Sequence, residues 1–413
     1  MFFISKLISR SIFDSRGNPT VEVDVVLNNN ALGRSSAPSG ASTGSKEAVE
    51  LRNQEDAYCG KSVFKIVNKI NNDLAKKISK KQFRSQEELD NFLITLDGTD
   101  NKSNLGTNLT TPVSIAFAKA IAKHNKIPLF SSIDKAYTNS IPKPILNIIN
   151  GGKHANNMLD IQEFMIIPQK HNSIQKNLRI ACEIFHKLQH MMEKKGYSTN
   201  IGDEGGFAPE LKDNKQALDL IFESSQKAGY TPGKDVSFAL DVAATEMYNK
   251  EKYEFKGESK TYDKSQLLQY YQHLYDNYPI IYIEDPFAED DLEGWKIINN
   301  ALGDKIKIVG DDLFVTNTKY LQKSIDNNLA NSILIKVNQV GTLTETLNTI
   351  KLAKDHNYKI IISHRSGETE DTAIAHLAVA TAANYIKAGS ICRTDRTAKY
   401  NELIRIEEAL ATN

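Results

Sequence analysis

The sequence predicts an α/β protein made of a small N-terminal α+β domain followed by a closed α/β barrel. Three observations carry this. The chain has 413 residues, too many for one ordinary core. Its first forty residues read as strands, with TVEVDVVL at 20–27 alternating between turn residues on both sides. Beyond residue 144 one unit recurs, in which a short apolar, β-branched run ends in a charged or polar residue and a helical pattern follows.

In the first part, helical patterns follow the strand meander at 46–52, 61–77 and 86–96. Pro112 is expected to open a further helix at the first-turn position, where proline is tolerated. This gives an α+β domain over 1–133, a linker over 134–143 beside Pro142 and Pro144, and a barrel over 144–413. In the barrel part VSFAL ends in Asp241, PIIYI in Glu284, IKIVG in Asp311 and NSILI in Lys336. KIII ends in Ser363-His364-Arg365, and the run at 384–386 ends in Lys387. Runs buried on both faces and alternating with helices make a parallel sheet, and so many of them make a closed barrel. Its C-terminal strand ends share one mouth, so these residues converge. One Asp after a strand is usually a helix cap. Six such ends, two of them lysines, are not explained by capping.

Asp241, Glu284 and Asp311 are hard oxygen ligands without Cys or His company, which suits Mg²⁺. A lysine among cations, as Lys336 would be, can act as a base. Arg365 and Lys387 suit an anionic substrate, with a structural ion pair the alternative for Arg365. Polar loops at Asn150–His154, Gln162-Glu163 and Gly202–Gly206 bring further groups, and the small-residue loop at 39–44 reads as a lid. No GK[ST] follows its glycines, so it is no phosphate-cradling P-loop. His186 and His190 are spaced like a metal pair but lack the HExxH glutamate, and read as ordinary helix histidines. The combination describes a metal-held carboxylate, a lysine base and an acid able to protonate a departing hydroxide.

Composition excludes other classes. Lys+Arg and Asp+Glu both total 51, so direct nucleic-acid binding is not expected. Three scattered cysteines form neither a disulfide framework nor a zinc cluster. No apolar run suits a signal peptide or a membrane span, which makes the cytoplasm the expected location.

The chain resembles enolase, of the bacterial type. The likeness runs from SIFDSRGNPT at 11–20 to IRIEEAL at 404–410, through PSGASTG at 38–44, NIINGG at 147–152, GDEGGFAP at 202–209, IEDPFAEDD at 283–291, VGDDLFVTNTK at 309–319, ILIKVNQVGTLTET at 333–346 and SHRSGETED at 363–371. The resemblance implies a TIM-like (β/α)8 barrel whose first units depart from simple alternation. It implies reversible dehydration of 2-phosphoglycerate to phosphoenolpyruvate through an Mg-stabilised enediolate. Lys336 resembles the base and Glu204 the general acid. Asp241, Glu284 and Asp311 resemble ligands of a first Mg²⁺. Ser42 resembles a ligand of a second, which arrives with substrate. Arg365 and Ser366 resemble phosphate binders, and His154, Gln162, Glu163 and Lys387 resemble substrate contacts or their supports. The family also implies a homodimer. By analogy only, it implies RNA-processing or surface partners and a secondary surface or secreted pool. A Lys or His base working beside Mg²⁺ is general to sites of the wider enolase superfamily.

Four departures stand out: Lys153 where bacterial relatives usually carry Glu, Thr110-Thr111-Pro112 in a helical stretch, Val242 where Cys is common, and an end soon after Leu410. They are expected to affect stability or assembly before chemistry. Two other readings compete. A racemase or cycloisomerase acting on a non-phosphorylated acid has no need of Arg365 and Ser366. A non-catalytic binding scaffold has no need of filled acid, base and metal positions.

Overall fold

The computed structural model describes residues 1–41, 43–53, 56–79, 81–134 and 140–412. Most of the predicted linker and Ser42 lie outside these. Strands β1 (Phe2–Phe13), β2 (Pro19–Leu27) and β3 (Leu32–Ser36) form the expected antiparallel meander, and β4 (Gln82–Phe83) borders β1. Val21, Val23, Val25 and Leu27 alternate onto one face and are wholly buried. That face packs on the helix Thr107–Asn125. The two approach so closely that a Cβ at Gly33 would lie 1.9 Å from the Ala116 carbonyl oxygen.

Two helix expectations fail here. Residues 46–52 are not helical. The backbone N–H of Ala48 donates to Gln339 O and that of Val49 to Asn101 O, so tertiary partners replace the i−4 bonds a helix would make. Pro112 does not open its helix but lies well inside it, and the helix continues through 110–112 to Asn125. Tertiary anchoring overrides the local signal. The Thr107 hydroxyl donates to Asn338 O at 2.6 Å and that of Thr111 to Gly341 O at 3.3 Å, docking the first turns on the barrel.

The barrel closes through eight strands: β5 (Lys143–Asn150), β6 (Glu163–Pro168), β7 (Val236–Asp241), β11 (Ile280–Glu284), β12 (Lys307–Gly310), β13 (Ser332–Ile335), β14 (Lys359–Ser363) and β15 (Tyr385–Lys387). A small antiparallel ribbon, β8 (Tyr248–Asn249), β9 (Lys252–Phe255) and β10 (Lys260–Tyr262), is inserted after β7. Around the barrel the order is β11-β12-β13-β14-β15-β5-β6-β7. All neighbours are parallel except β6, which runs antiparallel to both β5 and β7. Two helices, Ile174–Lys194 and Asn214–Lys227, then lead to β7. This is the departure from simple alternation that the resemblance implied.

One apolar layer plugs the barrel: Ile145, Met165, Ile167, Ala239, Tyr282, Val309, Leu334, Ile361 and Tyr385. A larger core fills the space between strands and outer helices. No helix among the described residues is long and apolar enough to cross a membrane. Cys59, Cys182 and Cys392 are all free thiols.

Candidate active site

Side chains on a strand return to the same face every second residue. Two residues beyond the apolar plug, each strand therefore points another side chain inward, at the mouth. On the parallel strands these are Asn147, Asp241, Glu284, Asp311, Lys336, Ser363 and Lys387. On antiparallel β6 the mouth lies at the start of the strand, so the equivalent residue precedes the plug and is Glu163. The ring is polar because it is the first layer that ligands can reach. Every member is buried except Lys336, which is slightly less so.

Two lysines organise the carboxylates. Lys387 Nζ lies 3.0 Å from Asp241, 2.9 Å from Glu284 and 3.2 Å from Glu163. Lys336 pairs with Asp311. Burial and Arg365 oppose the charge on Lys336, but Asp311 and Glu284 outweigh them, so the amine rests protonated. Burial and the neighbouring Asp241 push Glu284 up to about 8. The Tyr282 hydroxyl donates to Glu284 at 2.6 Å.

Asp241, Glu284 and Asp311 stand on three adjacent strand ends. An all-carboxylate donor set with a charge deficit at Glu284 fits a hard divalent cation. The lysines stand among these acids, so the three do not form one compact ligand cluster. Among the described residues, the triads that do gather within 4.8 Å are His154–Glu163–Glu204 and Asp285–Asp311–Asp312. Asp285 is already engaged, because its oxygens accept the N–H groups of Asp311 and Asp312 at 2.9 and 3.0 Å.

Glu204, in the Gly202–Gly206 loop, enters from beside β5. It accepts from Asn147 Nδ2 at 3.1 Å and lies 3.4 Å from His364 and 3.7 Å from His154. His154 is 3.4 Å from Glu163 as well. Burial and Glu204 push the Glu163 carboxyl well above its usual range. Burial also acts on Glu204, but His364, His154 and Arg396 outweigh it and hold that carboxyl low. Burial lowers His364 to about 4. It is then neutral near pH 7, with a ring nitrogen in reach of Glu204. The two carboxyls are thus pushed apart, Glu163 toward its protonated form and Glu204 toward the carboxylate.

Arg365 is buried and meets Glu47 at 2.8 Å and Asn338 at 3.2 Å. The structure thus contains the ion pair that was the alternative reading of this arginine. Ser366 Oγ accepts from the Ala41 N–H at 2.7 Å, and Ser39 and Gly367 exchange backbone bonds, so the lid loop lies against this end of the site. Gln162 reaches Asp241 at 3.4 Å. The ring closes on a cavity of about 20 Å³ lined by His154, Glu204, Lys336, Arg365 and Lys387 among others.

Lys153 turns out of the site and pairs with Glu246 at 2.6 Å, half exposed. His190 pairs with exposed Glu193, as an ordinary helix histidine would. Sequence reasoning missed Asn147, assigned no role to His364, and missed Arg396 entirely. The Arg396 guanidinium is fully buried and contacts His364 Nδ1 and the carbonyls of Arg365, Ser366 and Asp203. It sits in the C-terminal helix Thr394–Ala411 with no local signal around it.

Residues 138–413 match the family model described as the enolase C-terminal TIM barrel domain, and residues 4–133 match the enolase N-terminal domain. Curated relatives named enolase from Ehrlichia ruminantium, strains Gardel and Welgevonden, are 51% identical over 411 residues, covering 99% of this chain and 97% of theirs. Enolase of Ehrlichia canis strain Jake is 51% identical over 408 residues, covering 98% and 96%. With both domain models matched in chain order and that identity sustained almost end to end, the chain belongs to the enolase family.

Proposed function

We propose that the mouth residues divide the enolase reaction between Lys336 as base and Glu204 as acid. The activity itself is that of a hydro-lyase, interconverting 2-phosphoglycerate and phosphoenolpyruvate in glycolysis. The observation behind the division is topological. In the ring of eight strands β13, which Lys336 directly follows, stands diametrically across from β6, which begins at Glu163. The acid pair Glu163–Glu204 therefore faces the lysine across the mouth.

Arg365 and Ser366 take the phosphate, and Lys387 faces the substrate carboxylate. Lys336 removes the proton from the carbon bearing the phosphate, leaving the electron pair delocalised into the carboxylate. The C–O bond on the next carbon then breaks, and the hydroxide leaves as water with a proton that Glu163 favours holding and Glu204 passes on. Asp241, Glu284 and Asp311 would hold Mg²⁺, which would supply positive charge for the first step and occupy the carboxylate that otherwise keeps Lys336 protonated. His154 and Gln162 keep Glu163, Glu204 and Asp241 in place. A second Mg²⁺ held by Ser42 belongs to the same reading. So do a homodimer, a cytoplasmic location and a division of the chain into 1–133, 134–143 and 144–413.

Ultraviolet absorbance tests the whole reading. Purified protein with 2-phosphoglycerate should show a rise from the enol product with Mg²⁺ present and none after chelation. A folded protein silent in both conditions would remove the activity.

Stability gives an independent check of the metal site. Glu284 is near 4.5 when unfolded and about 8 when folded without metal. Its folded form then binds the extra proton, so stability is lost as pH rises through that window. Mg²⁺ binds the ionised carboxylate and reverses the loss. The thermal midpoint should therefore gain more from Mg²⁺ at about pH 8.5 than at about pH 6. Equal gains at both would argue against Glu284 as a ligand.

A further inference from the structure

Two consecutive β-branched residues, Val315 and Thr316, hold φ angles of +43° and +56°. Branched side chains crowd the backbone in this left-handed region, and such turns persist only where their surroundings over-determine them. Thr316 is completely buried. Its hydroxyl accepts the backbone N–H of Lys336 at 2.9 Å and donates to Gln339 Oε1 at 2.6 Å. The Thr349 hydroxyl donates to the Thr316 carbonyl at 2.7 Å and holds the turn from behind.

Gln339 is equally buried. Its amide Nε2 donates to Asp311 Oδ1 at 2.8 Å and, at 3.3 Å, to Glu47 Oε1. Asp311 is the ion-pair partner of Lys336, and Glu47 is that of Arg365. Proton direction in this network is determined. Ionised carboxylates only accept, so the amide nitrogen must face them and the amide oxygen must face the threonine. The hydroxyl proton goes to that oxygen, which leaves a lone pair for the Lys336 N–H. One hydroxyl and one amide thus hold the lysine at its backbone and at the carboxylate facing its amine.

We propose that Thr316 and Gln339 are positioning residues that hold Lys336 in line for proton abstraction. This rests on Lys336 being the base. Among the described residues the Thr316 hydroxyl reaches only the lysine backbone and Gln339, so it acts on turnover. Gln339 also reaches the Glu47–Arg365 pair, so it acts on substrate binding too.

Three variants of the full chain test this: Thr316→Val, Thr316→Ser and Gln339→Met, each assayed with 2-phosphoglycerate and Mg²⁺. Thr316→Val keeps the shape and loses the hydroxyl. Its kcat should fall about 100-fold, the penalty typical of a slightly misplaced reacting group. Its KM should stay within about twofold. Proton abstraction should become more rate-limiting, so substrate deuterated at the α-carbon should show a larger isotope effect on kcat. Thr316→Ser should restore most of the rate, and Gln339→Met should lower kcat and raise KM together. Equal loss in the valine and serine variants, or a valine variant with unchanged kcat and isotope effect, would overturn the proposal. If the valine variant does not fold, the isotope effect of Gln339→Met decides in the same way. The underlying reading fails separately: α-proton exchange surviving in Lys336→Ala would remove the base itself. A fully active Thr316→Val beside an inert Lys336→Ala would remove only the positioning role.

Discussion

Lys336→Ala should abolish exchange of the substrate α-proton with solvent and lower kcat by on the order of 10⁴-fold, the upper range for a lost general base. The amine sits at the mouth end of β13, on the layer that the apolar plug leaves free for chemistry. Mg²⁺ binding should survive. The variant takes a positive charge from beside Asp311, which favours a cation there rather than opposing it. The measurement is loss of deuterium from α-labelled 2-phosphoglycerate, with Mg²⁺ titrated calorimetrically alongside. Exchange persisting at the parent rate would assign the base elsewhere on the ring, with Lys387 the next amine to examine.

Glu204→Gln should separate the two halves of the reaction. The amide keeps the size and much of the contact to Asn147 and His364 but has no proton to give a departing hydroxide. Net dehydration should fall by about 10²–10⁴-fold while α-proton exchange falls far less. The neighbouring Glu163, whose carboxyl favours the protonated form, does not replace the lost acid, because an amide at 204 cannot pass its proton on. If exchange and dehydration fall equally, Glu204 is not the acid.

Most of this mouth is legible in the sequence. Asp241, Glu284, Asp311, Lys336 and Lys387 each follow an apolar run directly, and the run ends show where parallel strands stop. The resemblance then gives roles to Glu204 and His154, which lie in polar loops where no periodicity points to a function. Glu163 follows another logic. Its strand runs the other way, so its mouth residue comes first in the run rather than last, and a rule about strand ends passes over it. The residue pattern marks it only as a polar group inside an apolar run, the resemblance gives it a role, and the strand direction explains its place.

The segment 46–52 shows the limit from the other side. Its helical pattern is real, but Gln339 and Asn101 offer its N–H groups better partners than its own carbonyls do. Pro112 likewise suits a first turn on local sterics, yet the anchoring of Thr107 and Thr111 on the barrel decides where the helix begins.

What the sequence by itself determined is the set of strands, the inward period of two and the acids and amines that this period delivers to one mouth. These depend on neighbours within a few residues, where patterns can be read. What only the tertiary structure decided is which of these groups touch. It paired Lys387 with Asp241 and Glu284, Lys336 with Asp311, and Arg365 with Glu47, brought Arg396 in from the C-terminal helix and set the Gln339 amide on Asp311. Charge pairing acts through space between segments far apart along the chain, so no local pattern records it.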